Sequence, residues 1–439
     1  MILHELTKKL KNQFNDGERA DWFIYTLIAV IVPFTSAKTS NLLRCLKTVF
    51  GFERLEKKRY YRFMASPKIK WIRLWEFLWK QIPEPMTNGA LILAVDDFIN
   101  IKTGKKIFAC EKVFDHAAKQ NQSKYPWAQN IVSVGLLKMV KRRWACLPLS
   151  YRFYHLKKSL DKIKPRINRQ RIQFQTKIEQ AVAMIADIAH CFSTYNIIAV
   201  TDSWFGNNGL WRPLHKRLGD RFHLLSRLRS NNNIFDLPAK KSVQGRGRPK
   251  KYGKRLGDAE TLAARYRSFA VDYQVNLYGR LRSVTAYDKV VMLKTLRQAV
   301  RVVWIYRKTQ YMALFCTDLT LTVEQIIEYY GARWKIEAMF KELKRDLGSA
   351  ETQCRHPNAV TNHLHFCMMA YSLTWIYASR LEKTPRRRHV VKGRNHFAFS
   401  DIRRLIARDA VDENFRVLCS AKPNALLKSF TATLMRIAA

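Results

Sequence analysis

The sequence predicts a multidomain α/β protein, and three observations carry that prediction. The runs Ala90-Leu-Ile-Leu-Ala-Val and Ile197-Ile-Ala-Val are continuously apolar, and aspartate closes each of them; continuous apolar runs mark strands covered on both faces. From Val323 to Leu347, apolar residues recur at helical spacing, with Ile336, Met339, Phe340, Leu343 and Leu347 on one stripe. The 439 residues leave room for roughly three domains. The reading is a helical N-terminal domain over 1–88, a core over 89–219 and 321–378, a β-rich insertion over 220–320 and a basic helical C-terminal region over 379–439.

Composition narrows the function class. Hydrophobic residues make up 47% of the chain and aromatics 12%, which excludes wholesale disorder. Lys and Arg number 79 against 34 Asp and Glu, a net charge of +45. A globular protein this basic calls for a polyanionic partner, and nucleic acid is the default. An anionic membrane surface is the competing partner. It is usually met by one amphipathic basic helix, whereas here the charge is spread along the chain. The longest apolar run, Trp22 to Phe34, is broken by Pro33 and falls short of the about 20 residues that span a bilayer. The 8 cysteines are scattered, with no Cys-x-x-Cys pair, as in a reduced cytosolic chain. Cys354, His356, His363, His365 and Cys367 cluster, but their spacing fits no zinc pattern and the segment reads as a helix.

In chain order, Asp21 to Val32 is a buried helix stopped at Pro33, and Thr35 to Leu46 gives capping residues followed by a short amphipathic helix. Lys57-Lys-Arg-Tyr-Tyr-Arg-Phe adds a basic aromatic patch. A helix-turn-helix and a plain bundle fit this region about equally. The first buried strand ends in Asp96-Asp97. Two carboxylates there are poorly explained by stability, because an uncompensated buried charge is costly; a solvated strand end is the alternative. Strand alternation puts the two on opposite faces. Gly104 to Cys110 turns into the next strand, and Ile131 to Leu137 is another. Lys157, Lys158, Lys162, Lys164, Arg166, Arg169 and Arg171 form a basic segment, read as a face that tracks phosphates. Ile172 to Phe192 is a long helix. The second buried strand is closed by Asp202, with Trp204 and Gly206 in the turn after it.

Within the insertion, Phe222 to Arg229 reads as a strand. The basic loop from Gly245 to Gly253 carries Arg246, Arg248 and Lys250 and is similar to an AT-hook, which lies in a narrow minor groove. Ala270 to Val275, Ala299 to Tyr306 and Tyr311 to Cys316 have the β-branched and aromatic content of a small sheet. His363 to Ser379 is an apolar helix and Thr384 to Arg394 a basic linker. Short helices with Arg403, Arg404 and Arg408 complete the chain, touching DNA or a second protomer.

The stretch from Tyr330 to Lys344 organises the rest. On one helix its Tyr330, Arg333, Glu337 and Lys344 fall within an arc of about 60°, beside the apolar stripe. An ordinary amphipathic helix with an Arg333–Glu337 pair explains this too. The spacing Tyr-x2-Arg-x3-Glu-x6-Lys, however, resembles at every position the signature of bacterial insertion-sequence transposases of the DDE type. The likeness is fair around Asp96 and Asp202 and nearly absent at the two ends.

That resemblance implies a ribonuclease-H-like core in which Asp96, Asp202 and Glu337 hold two divalent ions, Mg²⁺ or Mn²⁺. One of Asp96 and Asp97 is the ligand and the other a neighbour, with Asp96 preferred. Phe98 stands where the family often has Thr. Thr103-Gly-Lys-Lys and Asp115-His116 take supporting, substrate-facing roles. Tyr330, Arg333, Lys344 and Lys341 are implied to hold DNA phosphates. Trp204 and Trp334 sit beside acidic residues and could stack an unpaired base, although core packing is the preferred role for both. The implied partners are double-stranded DNA, as the element's terminal inverted repeats and the target, and a second copy of the chain in a homodimer; no membrane is involved. The implied location is the cytoplasm, on the bacterial nucleoid. A DNA-binding factor without chemistry, and a nuclease without strand transfer, stand as alternatives.

Overall fold

A computed structural model describes residues 2–32, 36–115, 118–168, 170–238, 250–391 and 396–411. Five helices open the chain: α1 (Ile2–Lys11), α2 (Gly17–Ile31), α3 (Thr39–Thr48), α4 (Lys57–Met64) and α5 (Trp71–Lys80). Asp16 caps α2 by accepting from the Arg19 N–H, which satisfies one of the donors a helix start leaves open. Next come β1 (Ala90–Ile101), β2 (Cys110–Lys112), β3 (Trp127–Val140), β4 (Arg143–Tyr154), α6 (Lys157–Ile163), β5 (Arg166–Ile167), β6 (Gln170–Arg171), α7 (Lys177–Cys191), β7 (Asn196–Thr201), α8 (Asn208–Leu218) and β8 (Phe222–Arg227). Then follow β9 (Asn233–Phe235), β10 (Arg255–Asp258), α9 (Ala259–Tyr266), β11 (Val271–Leu277), β12 (Arg280–Leu293), β13 (Gln298–Arg307) and β14 (Gln310–Cys316). The last described elements are α10 (Val323–Ala332), α11 (Trp334–Arg345), α12 (Pro357–Arg380) and α13 (Phe399–Val411).

One mixed sheet dominates, in the order β10-β9-β12-β13-β14-β8-β7-β1-β3, with β2 and β4 on the other edge of β3 and β11 on β12. β4, β3 and β1 form an antiparallel meander, and β7 and β8 run parallel to β1. This mixed α/β arrangement is compatible with a ribonuclease-H-like core. The apolar runs of β1 and β7 are buried throughout, from Leu91 to Val95 and from Ile197 to Val200. Asp96 faces α11 and Asp97 faces α7, so helices cover both sides of these strands.

Several expectations are corrected. The strands expected as a separate sheet over 220–320 extend the core sheet, because β14 pairs with β8. The first five helices share a core with α12: Trp71 Nε1 donates to Asn362 Oδ1 at 2.7 Å, and Asn362 Nδ2 donates to the Met64 carbonyl at 2.9 Å. The helix expected to run unbroken from Val323 to Leu347 is two helices meeting at Arg333. The junction is tight, with the Arg333 N–H reaching both the Tyr329 and Tyr330 carbonyls. Gly348, at φ +63, ends the second helix as expected, and the Ser349 N–H closes back on the Leu343 carbonyl. The helix expected from Ile172 starts only at Lys177, where Thr176 and Glu179 form a capping box. Arg403 is buried and donates to the Ile31 carbonyl, so it binds the fold itself and not DNA. Among the described residues, no helix is long and apolar enough to cross a membrane.

Candidate active site

The two aspartates meet because β1 and β7 are parallel neighbours. Val95 pairs with Thr201, so Asp96 and Asp202 are the next residues out, on strands about 4.8 Å apart. Asp202 is fixed by its own turn: its Oδ1 accepts from the Trp204 and Phe205 N–H groups, each at 3.0 Å. Below it, Ser226 Oγ donates to the Asp202 carbonyl at 2.7 Å. A Cβ on Gly206 would lie 2.0 Å from that Ser226 Oγ, which is why glycine sits there.

Arg333 ties the helix to these strands. Its guanidinium lies 3.3 Å from Asp96 Oδ2 and 3.2 Å from Glu337 Oε1. The Arg333 side chain is buried, and its Nε is buried with no partner among the described residues. Phe98, on the same strand face as Asp96, stacks on Phe340 of α11 with ring centroids 4.2 Å apart. The departure from the family's Thr therefore fastens the aspartate strand to the glutamate helix. Burial pushes the Asp96 carboxyl up to about 7; Arg333 and the Asp97 N–H oppose the rise, and the charges of Asp202 and Asp97 add to it. Burial also raises Glu337, again opposed by Arg333.

Asp97 belongs to the other face. Its Oδ2 accepts from Lys177 Nζ at 2.8 Å, and the same ammonium lies over the Tyr154 and Trp204 rings. Sequence reasoning missed Lys177. The Thr176-x-x-Glu179 capping box could have placed it in a first helical turn, but its pairing with Asp97 spans 80 residues.

The other expected residues divide. Tyr330 is buried with Arg333 above its ring. Trp204 and Trp334 are 45% and 49% exposed, which corrects the core-packing preference: Trp204 comes two residues after Asp202 and Trp334 directly after Arg333, and each ring is left outside. Lys344 is exposed, within electrostatic reach of Asp115. Lys341 is exposed and lines a cleft away from the carboxylates. Lys250 is exposed; Arg246, Arg248 and His116 lie outside the described residues. His363 is buried and His365 half-buried; they are bonded to the Ala37 carbonyl and to Trp75 Nε1, and desolvation lowers both imidazoles, to about 4 and about 3.

The donor set suits a hard divalent cation by its chemistry, since carboxylate oxygens are the ligands Mg²⁺ and Mn²⁺ take. The Asp96 carboxyl, half-buried and raised by desolvation, is also one that added positive charge would favour in its ionised form. Among the described residues, however, no three His, Cys, Asp or Glu side chains gather around one point. The Arg333 guanidinium stands between Asp96 and Glu337.

Comparison with known families decides the assignment. The family model described as DDE superfamily endonuclease matches residues 9–290, well over half of the chain. The chain belongs to the DDE superfamily endonucleases. A second model, described as archaeal putative transposase ISC1217, matches residues 283–370. The first match contains Asp96 and Asp202, and the second contains Glu337 and its signature. The resemblance to DDE transposases is thereby upheld, and family membership makes the chain a nuclease that acts on DNA with a divalent metal. No curated relative matches the chain. Among solved structures, the crystal structure of the NurA nuclease from Sulfolobus solfataricus matches with 8% identity and a TM-score of 0.22, over 64% of this chain and 86% of that one.

Proposed function

We propose that this DDE-family protein is a DNA transposase whose active site is Asp96, Asp202 and Glu337. The observation that carries the reading is their placement: two aspartates at adjacent parallel strand ends, and a glutamate joined to the first of them through Arg333. Asp96 is preferred over Asp97 as ligand, because Asp97 faces α7 and pairs with Lys177. These three carboxylates would hold the two Mg²⁺ or Mn²⁺ ions of the proposed reaction, whose chemistry when bound would be to activate a nucleophile and stabilise a leaving 3′ oxygen. The chain's own residues supply the setting. The Asp202 turn fixes one carboxylate by backbone donors, and Phe98 on Phe340 fixes the spacing of strand and helix. Arg333 balances Asp96 and Glu337 and, as a planar guanidinium, can also grip a phosphate bidentately. Tyr330 supports Arg333 from beneath, and Lys344 is exposed for the DNA backbone.

In this reading the core is ribonuclease-H-like, with residues 1–88 and the C-terminal region as flanking DNA-binding parts. The DNA is the element's terminal inverted repeats and then the target, and two copies of the chain pair two ends. A nuclease without strand transfer is the second reading, favoured by the endonuclease description of the matched family. Incubation of the full chain with Mn²⁺, a pre-cut element end and a plasmid separates the two. Covalent joining of the 3′ end to the plasmid supports transposition; cleavage of uncut ends without any joining leaves the nuclease.

A further inference from the structure

A cleft of about 750 Å³ lies beside the candidate active site without including any of its carboxylates. Its residues on α11 are Lys335, Ala338, Lys341, Glu342 and Arg345. They centre roughly 100° around the helix from Glu337. The catalytic helix therefore serves two surfaces, and Lys341, about 40° from Glu337, lines the second at their boundary.

The cleft is a built feature. One wall is the tip of the β11–β12 hairpin, turned by Tyr278 and Gly279 at φ +57 and +78, the positive pair that a two-residue hairpin turn needs. A Cβ on Gly279 would lie 2.4 Å from His396 Nε2, and one on Gly331 would lie 2.7 Å from Leu277 Cδ2. The hairpin tip is thus wedged between α10 and the segment before α13, and the glycine of the Tyr330-Gly-Ala-Arg333 signature makes room for it. Arg387 closes the opposite wall by donating to the His389 and His396 carbonyls at 2.7 and 2.6 Å.

The charge of the cleft is one-sided. Arg280, Arg282, Lys335, Lys341 and Arg345 line it, and of these Arg280, Arg282, Lys341 and Arg345 are exposed, Arg345 being paired with Asp346 at 2.9 Å. Its two carboxylates are already engaged. Glu328 accepts from Trp144 Nε1 at 3.2 Å, and Glu342 accepts from the Tyr371 hydroxyl at 2.5 Å and faces Arg143 at 4.0 Å. Exposed cations held around a concave surface favour the phosphate oxygens of a DNA backbone.

We propose that this cleft is a second DNA site, taking the phosphate backbone of a segment other than the one presented to the carboxylates. The inference rests on the DNA-binding part of the proposed function and not on cleavage. The phosphates could instead come from a free polyphosphate, and the test distinguishes the two.

The test uses the full chain carrying Glu337→Gln, so that no DNA is cut, and follows duplex binding by fluorescence anisotropy across a salt series. Removal of two phosphate contacts by Arg282→Ala with Lys341→Ala should make the slope of log K against log salt less negative by about 1.8. The exposed pair Lys216→Ala with Lys294→Ala, outside the cleft and outside both flanking regions, removes equal charge and should leave the slope nearly unchanged. Equal slopes in wild type and the cleft variant, or equal loss in both variants, overturn the proposal. So does a melting temperature raised by tripolyphosphate in wild type but not in the cleft variant, if the DNA slope is unmoved. Melting curves of both variants without ligand establish that they are folded. Loss of cleavage by the parent chain would bear only on the carboxylates.

Discussion

The burial of Asp96 makes a prediction that does not depend on DNA. Its carboxyl is raised from 3.8 to about 7, chiefly by burial. An unfolded chain releases this proton near pH 4, whereas the folded chain keeps it until about pH 7. Between those values the folded state binds more protons, so stability falls as pH rises. The favourable contribution is complete below about pH 4 and is lost as pH passes through 7. The difference of pKa corresponds to about 4 kcal/mol at most. For a chain of this length the unfolding entropy of about 2.1 cal/mol/K per residue makes that roughly 4 °C in melting temperature. Asp96→Asn cannot ionise and escapes the loss. The melting temperature of the variant minus that of wild type should therefore rise by about 4 °C from pH 4 to pH 8. Mn²⁺ favours the ionised carboxylate, so it should narrow the gap at pH 8 and leave it unchanged at pH 4. A difference that stays constant from pH 4 to pH 8 would refute the reasoning, because Asp96 would then ionise as it does in water.

Four further outcomes follow from the same geometry. Phe98→Ala removes the stack on Phe340 and should cost about 3–5 kcal/mol in urea unfolding, with cleavage falling as strand and helix lose their spacing. Gly206→Ala places a Cβ against Ser226 and should cost about 1–3 kcal/mol, visible in the same unfolding curves. Trp204→Ala removes a half-exposed ring and should leave the melting temperature nearly unchanged; a fall of many degrees would restore the core-packing role. Lys177→Ala frees Asp97 from its partner and should cost about 1 kcal/mol or less, shrinking with added salt.

What the sequence could show was local. The apolar runs of β1 and β7 declared buried strands, and aspartate at the end of each declared a place where burial gives way to chemistry. The spacing from Tyr330 to Lys344 put Arg333 and Glu337 on one helix face without any knowledge of the sheet. What stayed hidden was non-local. Arg333 reaches Asp96 across 237 residues, and no helical period reports that a guanidinium stands between two carboxylates. The helix break at Arg333 was equally silent, because both helices obey the same period. The continuity of the sheet depends on β14 finding β8, a pairing that β-propensity does not encode. Trp204 and Trp334 were misjudged because large aromatics are usually buried, and here two surface positions beside the site keep them out. Lys341 stands one turn beyond Glu337 on the same helix, yet it lines the neighbouring cleft and not the carboxylate site.

The most direct test of the central claim is strand cleavage of the element's own end sequences in Mg²⁺ or Mn²⁺, with wild type beside Glu337→Gln and DNA binding measured for both. The account predicts that the two proteins bind alike, that wild type cuts at the ends, and that the variant cuts about a hundredfold less or not at all. If Glu337→Gln cuts as fast as wild type, or if both bind and neither cuts with either metal, Asp96, Asp202 and Glu337 are not the active site.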